Sequence, residues 1–301
     1  MRAVIDIGTN SVLMLVAKKK SNGAIELGTE KVMITRLGEG LTETGCISKE
    51  GEERTIAALK SFLQTCGTFN VAEITAISTE VLRKASNALA FIKRVKSELG
   101  IDIEIMGAEK EARLTYEASS IDFGKDIIVV DIGGGSTEFI KGPKPLEIAS
   151  LPIGSVSLTE DFIHSDPVSD DDESELRTSI FDHLLHDVPI ETSPETQNVI
   201  ATAGTATTLM AMHFEVEKYD SKLIHGQKLS IDAVAKIIDE LRERSVEERK
   251  ELVGLQPERA EVIFAGAVLF HEVMKHLGLR EITVSDRGLR WGLFYEKFCA
   301  G

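Results

Sequence analysis

Val4-Ile5-Asp6-Ile7-Gly8-Thr9-Asn10-Ser11 returns 125 residues later as Val129-Val130-Asp131-Ile132-Gly133-Gly134-Gly135-Ser136, and this echo decides how the chain is read. Each copy is an apolar run closed by Asp-x-Gly, small residues and Ser, which predicts a strand, a tight turn and a second strand. One copy alone would be an ordinary hairpin turn. Two copies in a chain of 301 residues, at about 150 residues per domain, point to two related halves, each carrying the same loop. A turn of small residues exposes backbone N–H groups that a phosphate can approach. The Asp ending each strand can hold a divalent cation, since Mg²⁺ prefers carboxylates combined with substrate phosphates.

Working outward, the first loop belongs to an antiparallel meander with strands over 3–7, 12–18 and 25–34, its second turn marked by Asn22-Gly23. An amphipathic helix carrying Ile56, Leu59, Leu63 and Cys66 follows, then a strand over 73–77 and a helix that stops at Gly100. Ile101, Ile103 and Ile105 alternate with acids as a half-buried strand does, leading into a helix over about 109–119. From residue 126 the strand, loop, strand pattern restarts, with strands over 126–132, 136–141 and 146–151. The later half is more helical, and a long helix is expected from Pro257 to just before Gly278.

Composition narrows the function. With 43% hydrophobic and 28% charged residues, the chain reads as an ordinary globular protein. Lys and Arg number 34 against 49 Asp and Glu, a net charge of −15 that argues against sequence-independent nucleic-acid binding. The longest apolar run, over 262–270, is about half of what a membrane span requires. Asp6, Gly8 and Asn10 break up any leader-like stretch at the start. Cys46, Cys66 and Cys299 form no CxxC pair, which suits a reducing cytoplasm.

Further segments can join the two loops. Residues 200–206 predict a strand running into a Gly204-Thr205 turn and a helix, a third anion loop at a helix N-terminus. Arg83 lies just beyond a strand end, where its fork of donors suits a phosphate. Glu109 and Glu111 open a helix, where acids usually serve the dipole, and the acidic run over 169–173 is expected to do the same. The histidines show no metal-ligand spacing.

Taken together, Asp6 to Ser11, Thr35 to Leu41, Thr79 to Asn87, Glu111 to Leu114, Asp131 to Glu138, Leu151 to Gly154, Gly204-Thr205, Pro257 to Ala260 and Val284 to Arg290 resemble the exopolyphosphatase/guanosine pentaphosphate phosphohydrolase (Ppx/GppA) family. The resemblance implies an α/β fold of two actin-like (ASKHA, ribonuclease H-like) domains related by duplication and facing a central cleft. One would be residues 1–120 with a helix over about 289–301 packing back on it, the other residues 121–288. It further implies Mg²⁺-dependent hydrolysis of terminal phosphate from inorganic polyphosphate, pppGpp or both, in the cytoplasm, with neither nucleic acid nor membrane as partner and with room for a homodimer.

By the same resemblance Glu111 orients or deprotonates the attacking water and Arg83 binds the terminal phosphates. Gly8, Thr9, Asn10, Ser11, Arg36, Gly133, Gly134, Gly135, Ser136, Gly204 and Thr205 bind phosphate, and Asp6, Asp131 and Glu138 hold the metal. Two positions depart from the family pattern: Leu13, often Arg or His, and Trp291, where Arg-Glu-Gly becomes Arg290-Trp291-Gly292. A local basic strip is expected to offset the overall charge, drawing on Lys18, Lys19, Lys20, Arg36, Arg83, Lys84, Lys93 and Arg94. Two other functions fit less well: an ATP-using phosphotransferase of the same superfamily, and a polyphosphate or pppGpp sensor without turnover.

Overall fold

The apolar run ahead of Asp6 forms β1 (Arg2–Ile7), which lies between an antiparallel neighbour, β2 (Ser11–Lys19), and a parallel one, β4 (Glu73–Ser78). Its residues 3–5 are buried because both faces of a central strand are covered. β3 (Ile25–Ile34) and β5 (Ile103–Ile105) complete a five-stranded sheet of order β3-β2-β1-β4-β5. In the computed structural model, which describes residues 1–143, 145–188 and 198–299, this sheet belongs to one of two units. The first comprises Met1–Ala118 with Leu289–Gly301, the second Ser119–Gly288. The break expected after residue 120 thus falls after Ala118.

The second unit repeats the pattern. β6 (Ile127–Ile132), β7 (Thr137–Lys141), β8 (Glu147–Leu151), β9 (Asn198–Thr202), β10 (Lys228–Ser230) and β11 (Glu281–Val284) form a sheet of order β10-β11-β9-β6-β7-β8. Read from β8, the first five strands match β3-β2-β1-β4-β5 in order and direction, and β10 is an antiparallel addition at the far edge. The fold is therefore mixed α/β and duplicated, and the strand, loop, strand echo of the sequence occupies the same place in both sheets.

Each unit has its own core. In the first, Ile5, Val12, Met14, Phe62, Val81 and Phe91 fill one side of the sheet, and Val4, Leu15, Ala17, Ile77, Leu114, Trp291 and Phe294 the other. The second core runs from Ile128 to Val284 and centres on helix Ile263–His276. The acidic run over 169–173 does open a helix, Asp170–Asp187, whose preceding Ser169 accepts a capping hydrogen bond from the Asp172 N–H.

Two expectations change. The helix foreseen from Pro257 is a single 3-10 turn, Pro257–Arg259, and the long helix starts only at Ile263. Arg259 and Ala260 are both buried, and a tight i→i+3 turn aims them inward before the helix sets out. Helix Ala108–Phe123 also runs further than 109–119.

Candidate functional site

The two echoing loops close with the same bond. In the first unit the Gly8 N–H donates to the Ser11 carbonyl at 2.9 Å, and in the second the Gly133 N–H donates to the Ser136 carbonyl at 3.0 Å. In each the outward carbonyls are then claimed by a later segment. Thr9 O accepts from Gly38 N, and Asn10 O from Thr35 N and Arg36 N. Gly133 O accepts from Ser155 N, and Gly134 O from Val156 N and Ser157 N. With their carbonyls turned away, the loops keep the N–H groups of Thr9, Asn10, Gly134 and Gly135 outside any backbone bonding among the described residues, the arrangement an anion-binding nest requires.

The later segments press closely on the loops. A Cβ on Gly154 would meet the Gly134 carbonyl carbon at 2.5 Å, so only glycine lets helix Ser155–Phe162 start against the second loop. Beside the first loop, Arg36 is held at φ 47, a left-handed backbone that costs a side-chain-bearing residue free energy. The Asn10 side chain is 6% exposed, and neither amide atom has a hydrogen-bond partner among the described residues. Buried amides carry that cost unless a ligand or water relieves it.

Register places the carboxylates. Across β7, β6 and β9, Glu138 lies directly opposite Asp131, and Asp131 beside Thr202, so three oxygen-bearing side chains share one face of the sheet. Glu138 and Thr202 are buried, Ser150 donates to Glu138 at 3.1 Å, and the Thr202 hydroxyl has no partner among the described residues. Like charges directly opposite each other disfavour the pair unless a cation intervenes. Oxygen donors only, two of them carboxylates, suit Mg²⁺, and the residues therefore fit that ion. Among the described residues no group of three or more His, Cys, Asp or Glu could hold a metal, and Mg²⁺ does not need one. Thr202 went unrecognised in the sequence, because its place beside Asp131 depends on a strand pairing.

The matching row of the first unit is Leu13, Asp6 and Ile77. Asp6 therefore stands between apolar neighbours, and Leu13 is the counterpart of Glu138. The halves share topology and loop, but the oxygen-rich row belongs to the second.

Glu111 lies in the first turn of helix Ala108–Phe123. Its carboxylate accepts from Arg83 Nη1 at 2.7 Å, and the same Nη1 donates to the Met106 carbonyl at 2.7 Å. Burial pushes the Glu111 carboxyl above its ordinary range, outweighing the hydrogen bond and charge of Arg83. Arg83 comes from helix Glu80–Lys84, which follows β4 directly. Glu111 and Arg83 are thus brought together from opposite ends of a 28-residue separation. Arg113, two residues further on, turns instead to Glu117 and Glu296.

The third loop follows β9. Ala203 sits at φ 70, strain of the kind found at ligand sites, and Gly204 and Thr205 open helix Ala203–His213. A Cβ on Gly204 would fall 2.4 Å from Nη1 of Arg259. Arg259 is buried, with Nε donating to Gln256 at 3.1 Å, and burial lowers its pKa to about 10. The sequence shows the segment containing Arg259 but gives no sign that it covers this loop.

Several of the residues expected in a basic strip have partners among the described residues. Lys18 and Lys20 both pair with Glu26, Lys19 donates to the Cys299 carbonyl, Lys84 pairs with Glu80, and Arg94 with Glu52, Glu53 and Glu98. Trp291 lies in the core of the first unit, with its indole N–H donating to Glu30 at 3.0 Å. Among the described residues no helix is long and apolar enough to cross a membrane.

Comparisons with known proteins place the chain in a family. The model of the Ppx/GppA phosphatase family matches residues 15–299. Exopolyphosphatase 2 of Mycobacterium tuberculosis is 29% identical over 97% of this chain and 96% of its own. A bifunctional 3-dehydroquinate synthase/phosphatase of Fusobacterium nucleatum is 31% identical over 98% of this chain. The match spans about half, 46%, of that longer relative. Among solved structures, the Aquifex aeolicus member of the Ppx/GppA family has 34% identity and a TM-score of 0.79, covering 98% of this chain and 96% of that one. An exopolyphosphatase from Cytophaga hutchinsonii has 28% identity and a TM-score of 0.87, covering 99% and 97%.

Proposed function

This chain belongs to the Ppx/GppA phosphatase family, and from that premise we propose that it is a phosphoanhydride hydrolase. It releases terminal phosphate from inorganic polyphosphate, with pppGpp as the alternative substrate and Mg²⁺ as cofactor. The observation that carries this reading is Glu111: a half-buried carboxylate, raised in proton affinity, held at 2.7 Å by an arginine.

Transfer of a phosphoryl group to water asks little covalent chemistry of a protein; it needs an aligned nucleophile and neutralised charge. Glu111 orients a water and accepts its proton as the oxygen attacks the terminal phosphorus in line, while the shortened chain departs as the leaving group. Arg83 has one Nη engaged with Glu111 and Met106, and its remaining donors serve the phosphate oxygens. The loop N–H groups of residues 9–10, in the same unit, add main-chain donors. Asp131, Glu138 and Thr202 would hold Mg²⁺, which supplies neutralisation of phosphate charge when bound.

The test is phosphate release by the purified protein, with and without Mg²⁺, from polyphosphate, pppGpp and ATP in parallel. Release from polyphosphate or pppGpp should fall by roughly 10²–10⁴-fold in Glu111→Gln, the range general base catalysis contributes. Polyphosphate binding should persist in that variant. Undiminished release from Glu111→Gln would remove the assignment, and binding without release by the wild type would make the protein a sensor.

A further inference from the structure

The segment after β3 carries Arg36 past the first loop, and a side chain from outside the loop fixes its course. Thr35 and Leu37 on either side are buried, Leu37 in the core of the first unit, whereas the Arg36 side chain is 30% exposed. The amide side of Arg36 is tied to the loop: the N–H groups of Thr35 and Arg36 both donate to the Asn10 carbonyl, at 3.0 and 2.9 Å. The carbonyl side is tied to Arg54. Its Nε donates to the Thr35 carbonyl at 2.7 Å, and its Nη2 donates to the Arg36 carbonyl at 3.2 Å and to the Glu39 carboxylate at 2.6 Å. Arg54 lies in the second turn of helix Lys49–Thr68, three residues after Gly51 and on the same face. A Cβ on Gly51 would sit 3.3 Å from the Arg36 carbonyl oxygen, so the bare glycine brings the helix close enough for Arg54 to reach. The peptide between Thr35 and Arg36 is thus held at its oxygen by Arg54 and at its N–H by the loop, and the next carbonyl by the same guanidinium.

We propose that Arg54 is a positioning residue for the phosphate site: its fork of donors holds Arg36 in the left-handed backbone that directs the Arg36 side chain to the substrate. The inference rests on the reading of Arg36 as a phosphate contact. A residue with a side chain keeps φ 47 only where its surroundings outweigh the cost. With the amide fixed to Asn10, a change of φ at residue 36 swings the side chain and the Arg36 carbonyl together. The bond from Nη2 to that carbonyl is therefore also a hold on the side chain, and a charged donor makes it stronger than a neutral one would. The Glu39 carboxylate lies 2.6 Å from Arg54 and 4.0 Å from Arg36, and it steadies the guanidinium over the two carbonyls. A lysine ammonium, as a point charge, has no planar fork with which to serve both.

The test compares the whole chain with its variants at Arg54 and Arg36. In Arg54→Gln the KM for polyphosphate should rise by about tenfold, as for one charged hydrogen bond lost, with kcat within about twofold, since Glu111 and Arg83 come from other elements. Arg36→Met should raise KM similarly, and adding Arg54→Gln to it should raise KM no further, because the side chain through which Arg54 acts is already gone. Effects that multiply in the double variant overturn the proposal. In the free protein, without turnover, a strong nuclear Overhauser effect between the amide and α protons of Arg36 reports its positive φ, and it should weaken in Arg54→Gln. An undiminished effect overturns the proposal even where KM rises. Recovery of KM on adding Glu39→Gln to Arg54→Gln would place the action of Arg54 on Glu39 and not on the carbonyls, and overturns it too. If the wild type binds polyphosphate without releasing phosphate, the hydrolase reading fails, and the same comparisons made on the dissociation constant still decide for or against Arg54. An Arg36→Met variant of unchanged affinity removes the phosphate role of Arg36, and the role of Arg54 with it, while the assignment of Glu111 stands. Should Arg54→Gln fail to fold, Arg54→Lys, which keeps the charge opposite Glu39 without the fork, decides by the same readouts.

Discussion

A methyl group on Gly204 would collide with a guanidinium, not with backbone, and this makes the third loop testable one residue at a time. The nearest atoms are Nη1, Nη2 and Cζ of Arg259, at 2.4 to 2.8 Å. Arg259 is buried and its Nε donates to Gln256, so it has little room to retreat. Gly204→Ala should therefore cost about 1–3 kcal/mol, the usual range for overpacking. In an Arg259→Ala background the same change should cost much less, a coupling that a double-mutant cycle by urea unfolding reads directly. Equal costs in both backgrounds would mean that the guanidinium is not the obstacle. Of the candidate site, the loops Gly8 to Ser11 and Gly133 to Ser136 were legible in the residues themselves, whereas Glu111 entered through the family resemblance, because an acid at a helix start otherwise reads as a dipole partner. Thr202 and Arg259 were not legible, because one reaches the site through register with β6 and the other across 55 residues of chain.

Two helices carry predictions at the level of elements. Helix Leu289–Phe298 buries Trp291 against Val4, Leu15 and Leu114, and Glu30 accepts from both its indole and Arg290. Trp291→Ala should destabilise the first unit by about 3–5 kcal/mol. Trp291→Phe, which keeps most of the packing and loses the hydrogen bond, should cost about 1–2 kcal/mol, and chemical denaturation monitored in that unit separates the two. In the second unit, Glu272 joins helix Ile263–His276 to helix Asp170–Asp187 through Arg177. Burial would raise the Glu272 carboxyl, but hydrogen bonds from His271 and Lys275 and the charges of Lys275 and Arg177 prevail and bring it to about 2. A folded pKa below the unfolded one contributes stability that is complete above about pH 4.5 and is lost as pH falls toward 2. Glu272→Gln should therefore flatten the acid side of the unfolding midpoint against pH between those limits. An identical acid profile in the variant would show that the network does not act this way. Elements with strong periodicity were readable from the sequence; the false helix start at Pro257 arose because proline favours the first turn of an α-helix and of a 3-10 turn alike.

At the scale of the molecule, the duplication was readable because similar Asp-x-Gly loops sit between strands of the same polarity, and the domain break because the pattern restarts. The pairing of Lys18 and Lys20 with Glu26 was not, since it forms across two strands and not through helical spacing. The same division of the chain carries a last prediction. The core of the second unit is drawn wholly from residues 128–284, within the continuous stretch Ser119–Gly288. The first unit is discontinuous: Val4, Leu15, Leu114 and Ala118 pack against Leu289, Trp291, Leu293 and Phe294 from the far end of the chain. A stretch with its own core folds by itself, whereas one whose sheet face is covered from elsewhere in the chain is left with exposed apolar surface. Residues 119–288 expressed alone should give dispersed amide NMR signals and a single cooperative melt. Residues 1–118 alone should bind hydrophobic dye and aggregate, and fusing 289–301 to them through a short flexible linker should restore a cooperative transition. A folded 1–118 would show that the C-terminal helix is dispensable to its core, and an unfolded 119–288 would show that the second unit depends on contacts outside its own stretch.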